Sequence, residues 1–245
     1  EGHDTSACIT IDGKLIAACE QERYDKVKHS RNFPLEAIKD CLKISKLSIN
    51  DIDVISSGFD PQILIRDLYL KPSIENYDRL SFFINDIERI KSWHNLEKQI
   101  QNKLKIKKKI EFNNHHLCHL ASAYFPSGFQ KALVVSYDGL GESESGAFAI
   151  GNKGKIKVLN YKNLYPNSLG LLYSAITFYL GWKPFCDEGI IMGLAPYGNS
   201  QAKIKGTNKT YYDLFKDIIC LNKNNPLQYE INKKWIAYHI KRDVW

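Results

Sequence analysis

The sequence predicts an α/β domain whose sheet mixes strand directions, and three features predict it. A β-hairpin opens the chain, a helix begins at a proline after it, and an apolar strand further on runs into a glycine-rich turn followed by another hairpin. Residues 8–12 and 14–19 are short strand-like runs joined by Asp12-Gly13, a strong hairpin signal. Pro34 stands where a helix starts, and residues 35–42 carry apolar side chains at helical spacing. Residues 52–59 read as a strand. Residues 74–105 read as mostly polar helix, within an insertion placed at 62–105. A short strand at 109–112 follows, and a helix begins at His115. Residues 132–137 form a buried-type apolar strand ending in Asp138-Gly139-Leu140-Gly141-Glu142, and strands at 146–150 and 156–161 flank a Gly151-Asn152-Lys153-Gly154 turn. From Ser168 the chain is helical through Leu180, then turns at Gly181-Trp182-Lys183-Pro184. Residues 234–240 have a helix-like apolar pattern. The alternation is too irregular for a doubly wound nucleotide fold.

The chain has 245 residues, 44% hydrophobic and 25% charged, which suits one large or two small globular domains. No apolar run is long enough to span a bilayer, and no secretory pattern opens the chain, so it reads as soluble and cytoplasmic. It opens without Met and ends without a C-cap glycine, and is expected to be a fragment. Six cysteines lie without a C-x-x-C pair and are expected to be free thiols. The net charge of +7 concentrates at Lys103, Lys105, Lys107, Lys108 and Lys109. This is an anion patch or a solvated loop, and the lack of interleaved aromatic residues favours the loop.

His115 and His119 are four residues apart, so on a helix their side chains share one face and can share a divalent metal. No glutamate follows His115, which removes the zinc-protease reading. An ordinary helix with two surface or core histidines has the same spacing. His116 lies about 100° round the helix and points elsewhere. Asp138, at a strand end, is the candidate third ligand. Two histidines and one carboxylate leave coordination positions open, as a catalytic iron or zinc needs. Asp-Gly after a strand is also a common turn. Gly139 and Gly141 let the backbone approach a phosphate. In the polar turn Gly2-His3-Asp4-Thr5-Ser6-Ala7, His3 and Asp4 are candidates to position a hydroxyl, a phosphate or a metal-bound water. An Asp bonded to its own backbone in a β-turn explains the same residues. Within the charged stretch from Glu20 to His29, Lys28 is either a phosphate contact or part of a solvated strand end.

Taken in order, these segments resemble the NodU/CmcH O-carbamoyltransferases. The resemblance rests on Gly2-His3-Asp4-Thr5-Ser6-Ala7, on Gln21-Glu22-Arg23-Tyr24-Asp25-Lys26-Val27-Lys28-His29, and on Phe33-Pro34 with Ala37-Ile38. It continues through the run from His115 to Tyr124, Asp138-Gly139-Leu140-Gly141-Glu142, Ser168-Leu169-Gly170, and Glu188-Gly189 with Met192-Gly193-Leu194-Ala195-Pro196-Tyr197-Gly198.

The resemblance implies a scaffold similar to the tRNA threonylcarbamoyl-transferase: ribonuclease-H-like, of the actin and sugar-kinase type, here as an incomplete duplicate. The first subdomain would cover residues 1–165, and the truncated second would start at 166–245. It implies a metal, iron with zinc as the alternative, on His115, His119 and Asp138. It places carbamoyl-adenylate against Lys28 and the residues Asp138, Gly139, Gly141 and Glu142, and His3 beside the accepting hydroxyl. ATP and carbamoyl phosphate are the implied substrates of a further, YrdC-like domain, and the acceptor is a sugar or natural product. Neither a membrane nor a nucleic acid is an expected partner. Gln21 and Lys26 stand where the family usually has Glu and Arg, and Ile190 where Lys is usual. The competing readings are a phosphotransferase on the same scaffold, needing Mg²⁺ and no histidine pair, and a non-catalytic nucleotide- or metal-binding module.

Overall fold

The structure, a computed structural model, describes residues 4–225 and 227–238. The content is mixed α/β, and the strands form four small sheets. Every strand pair of known register is antiparallel. Two compact units are present: residues 1–56 with 97–111, and residues 57–96 with 112–245. The boundary expected at 165/166 falls inside the second unit.

The first unit opens on the predicted hairpin, β1 (Ser6–Ile11) against β2 (Lys14–Glu20). Asp12 and Gly13 both take positive φ, 50° and 76°, the left-handed pair a two-residue hairpin turn needs. The short helix α1 (Glu22–Asp25) and then α2 (Leu35–Ser45) follow; α2 starts after Pro34, as predicted, and buries Ala37 and Cys41. Gln21 is buried and ties the chain to α2: its Nε2 donates to Glu36 at 2.8 Å, and its Oε1 accepts from Ala37 N at 3.3 Å.

The strand expected at 52–59 shrinks to β3 (Ile55–Ser57), which pairs with β4 (Ile110–Phe112). Both ends are curtailed by capping. Ser48 and Asp51 form a capping box around a 3₁₀ turn before the strand. After it, the Asp60 side chain accepts from Gln62 N and Ile63 N and starts α3 (Pro61–Ile63) with proline in its first turn.

A π-helical turn (Leu64–Leu70) continues into α4 (Lys71–Glu75), α5 (Tyr77–Asn85), α6 (Ile87–His94) and α7 (Leu96–Leu104). The insertion is helical, as predicted, but it is not a polar cover. Leu64, Ile65, Leu68, Tyr69, Phe82, Ile90 and Trp93 form a buried cluster of their own, and the Tyr69 hydroxyl donates to Asp86 at 2.7 Å inside it. Leu64, Ile65, Leu68 and Tyr69 share the Leu64–Leu70 turn, ahead of the 74–105 stretch read as polar helix, and Phe82, Ile90 and Trp93 come from α5 and α6.

The second unit is centred on the meander β5 (Lys131–Gly141), β6 (Glu144–Asn152) and β7 (Lys155–Leu164). The helix α8 (His115–Tyr124) lays Leu120 and Tyr124 against Val134, Ala147 and Ala149 of the sheet. The helix α9 (Leu169–Tyr179) joins a second cluster with Ile218, Tyr229 and Ile231, from α11 (Tyr211–Ile218), which follows α10 (Glu188–Leu194), and the hairpin β8 (Ile219–Leu221) and β9 (Tyr229–Ile231). The helix-like pattern at 234–240 is not a helix where it is described. Lys233–Trp235 is one 3₁₀ turn, and Ile236 is extended at φ −129°; residues 239 and 240 lie outside the described residues. The six cysteines are free. No helix among the described residues is long and apolar enough to cross a membrane.

If the insertion carries its own core, Leu68→Ala should cost about 2–5 kcal/mol, read as a lower urea midpoint. A polar cover would lose less than about 0.5 kcal/mol.

Candidate metal centre

The helix α8 begins where Asn114 caps it, its side-chain oxygen accepting from Leu117 N at 2.8 Å. His115 is therefore the first helical residue, and His119 stands one turn later. On the strand side, β5 pairs with β6 regularly up to Tyr137↔Gly146, then bulges until Gly141↔Glu144. The glycine segment is thus the irregular end of a strand rather than an open turn, and the bulge aims Asp138 at the start of α8.

His115 Nε2 lies 2.8 Å from Asp138 Oδ2 and 2.9 Å from His119 Nε2, and His119 Nε2 lies 3.4 Å from the same carboxylate oxygen. One donor atom from each side chain falls within 4.8 Å of the others. Ligands held about 2.0–2.2 Å from one shared cation sit roughly 3 Å apart, so the three atoms fit a common ion. The other ring nitrogen, His115 Nδ1, lies 3.2 Å from the Gly58 carbonyl, the partner a ligating histidine characteristically takes on its far side. His119 is exposed, which leaves one side of the cluster open.

Comparison with known proteins decides what kind of chain carries this cluster. The family described as "Carbamoyltransferase N-terminus" matches residues 2–244. The chain belongs to the carbamoyltransferase N-terminal family. A nodulation protein, NolNO, of Sinorhizobium fredii is 33% identical over 199 residues, covering 80% of this chain and 28% of that protein. An uncharacterized protein of Synechocystis is 34% identical over 214 residues, covering 80% of this chain and 33% of its own length. One from Methanocaldococcus jannaschii is 28% identical over 218 residues, 89% of this chain and 35% of that protein. The chain spans about a third of the length of these relatives.

Within this member of the carbamoyltransferase N-terminal family the other predicted residues fall in varied surroundings. Gly141 gives His115 its place: a Cβ there would come within 2.3 Å of the imidazole Cδ2. Gly139 N donates to Asp138 Oδ1 at 2.6 Å, so that amide already serves a carboxylate. Glu142 is buried, 1% exposed, with its side chain turned inward. Lys28 is exposed in the first unit. Asp4, also in the first unit, has its Oδ1 2.9 Å from His29 Nδ1. His3 lies outside the described residues. His116 points away from the cluster, as the helical spacing predicts; it is fully buried between Ser136 Oγ at 2.8 Å and the Glu144 carbonyl at 3.0 Å.

Sequence reasoning gave no role at the site to Gly58, to Asn114 or to Ser168, the last quoted only as a helix start and within a motif. Ser168 Oγ donates to the carbonyls of Asp138 and Gly139, at 3.1 and 2.6 Å, and also caps α9. A polar cap residue immediately before an apolar-periodic run was the available signal for Asn114 and Ser168. Nothing local marks the Gly58 carbonyl.

The hydrogen bond to Asp138 holds the His115 imidazole above its usual pKa, against the opposing effect of burial. The same bond keeps the Asp138 carboxyl well below the ordinary range, again against burial. A histidine pKa raised by folding contributes stability that is complete below the unfolded value of about 6.5 and is lost as pH rises through the folded value. Metal-free protein should therefore exceed Asp138→Asn in melting temperature most at pH 5–6, and the gap should narrow by pH 8.5. A gap that widens with pH would contradict the pairing.

Proposed function

We propose that this chain is the part of an O-carbamoyltransferase that moves a carbamoyl group from carbamoyl-adenylate to a substrate hydroxyl. The observation that carries the reading is the convergence of His115, His119 and Asp138 in a member of the carbamoyltransferase family. These three side chains would hold a divalent metal. Two imidazoles, one carboxylate and open positions suit iron first and zinc second. Bound there, the ion would polarise the carbamoyl carbonyl, whose oxygen gains charge as the hydroxyl adds.

The remaining work belongs to the chain. His115 must present a neutral Nε2, and a proton on Nδ1 directed at the Gly58 carbonyl selects that tautomer. A carboxylate or imidazole at Asp4 or His3 would take the proton of the acceptor hydroxyl, a contribution of about 10²- to 10⁴-fold in rate. The new bond joins the acceptor oxygen to the carbamoyl carbon; the bond to the phosphate oxygen breaks, and AMP leaves. Lys28, an exposed cation, is suited to a phosphate; separately, we assign the backbone around Gly139 and Gly141 to the adenylate phosphate. A YrdC-like domain, within the two thirds of the relatives' length beyond this chain, would make carbamoyl-adenylate from ATP and carbamoyl phosphate. The scaffold would be ribonuclease-H-like, and the acceptor a sugar or natural product.

Metal analysis after reconstitution with Fe²⁺ or Zn²⁺ tests this reading. The chain should retain a stoichiometric ion, and His115→Ala and His119→Ala should each lose it. With a YrdC-like domain, carbamoyl phosphate and ATP supplied in trans, both variants should also lose transfer of labelled carbamoyl groups. Retention of the ion by both variants, or by neither they nor the parent chain, removes the proposal.

A further inference from the structure

We infer that Glu142 is the positioning residue of the metal centre: its carboxylate grips the start of α8 and thereby aims His115 at Asp138. The inference rests on the metal reading above and assigns Glu142 a role away from the ligand. Both carboxylate oxygens are occupied by the protein. Oε1 accepts from Asp60 N at 2.8 Å and His115 N at 3.1 Å; Oε2 accepts from His115 N and from Asn114 Nδ2, each at 3.2 Å. One side chain thus joins the turn after β5, the loop leading from β3 into α3, and the first turn of α8.

One of these donors would otherwise lack a partner within its helix. The backbone N–H of His115 opens a helix, where no intrahelical acceptor exists, and a buried N–H without a partner is strongly disfavoured. An anion at that place also faces the positive end of the helix. Glu142 itself takes φ 45°, a left-handed conformation that favours glycine, so a side chain is kept there at a conformational cost. The consequence for His115 is threefold restraint. Glu142 fixes its backbone, Gly58 O engages Nδ1, and the bare backbone of Gly141 leaves room for the ring. Nε2 is then the nitrogen left to face Asp138 Oδ2.

Cobalt(II) titration of the metal-free chain, followed by visible absorption, separates positioning from mere folding support. Glu142→Ala should bind Co²⁺ about 10- to 100-fold more weakly, as losses of outer-shell partners do, with a changed d–d spectrum as His115 leaves the ion. Glu142→Gln keeps the length and one acceptor oxygen but sets a donor against Asn114 Nδ2, so its affinity should fall between the two. Val134→Ala, a core change distant in role, should lower the melting temperature and leave the cobalt affinity and spectrum alone. Unchanged affinity and spectrum in Glu142→Ala overturn the inference; if that variant does not fold, the same result in Glu142→Gln overturns it. A parent chain that binds no Co²⁺ instead removes the metal centre, and this inference with it.

Discussion

Where the end of β5 meets the first turn of α8, a carboxylate and two imidazoles are held within hydrogen-bonding distance, and the surrounding structure serves that meeting. The strand gives up regular pairing over residues 138–140, which frees Asp138 from the sheet. The helix has no side chain opposing it at Gly141, so His115 can lie against the backbone. From the other side, α9 begins close to the same segment: a Cβ on Gly170 would come within 2.6 Å of Gly139 N, and the Ser168 hydroxyl bonds the Asp138 and Gly139 carbonyls. Two helix caps, Asn114 and Ser168, thus hold the two halves of the cluster. Caps of this kind are local in sequence but rigid in effect, because each fixes the direction of a helix.

Two carboxylates four residues apart are driven in opposite directions by their surroundings. The hydrogen bond from His115 keeps Asp138 ionised far into acid, whereas burial raises Glu142 despite the N–H groups of Asp60 and His115. Geometry accounts for the contrast. Asp138 faces imidazoles that gain charge, and Glu142 faces neutral peptide dipoles. The first carboxylate is suited to a cation, the second to bracing backbone.

In the first unit a separate polar network organises the loop after β2. Asp25 accepts from Ser30 Oγ, Asn32 Nδ2 and Val27 N, and these bonds lower its pKa. Asp4 and Thr5 reach the same loop, through His29 and through the carbonyls of Ser30 and Asn32. Gln21 has a use for both ends of its amide, one donating to Glu36 and one accepting from α2. A carboxylate offers no donor for the first of these contacts. The glutamine is thus matched to its local partners.

Elements whose cause lies within a few residues were legible in the sequence. The Asp12-Gly13 hairpin, the helix after Pro34, the shared face of His115 and His119, and the departure of His116 from that face all follow from turn chemistry or from 3.6-residue periodicity. The family was legible too, because several short motifs occur in order. What sequence left open depends on contacts between distant residues. The apolar insertion core joins the Leu64–Leu70 turn to residues of α5 and α6, and the trimmed strand β3 is limited by caps at both ends. The distance from Asp138 to the histidines and the inward path of Glu142 come from strand β5 packing against α8. Spacing along the chain determines which face a side chain shares. Only tertiary packing determines which other face it meets, because that requires two segments to compete for the same buried space.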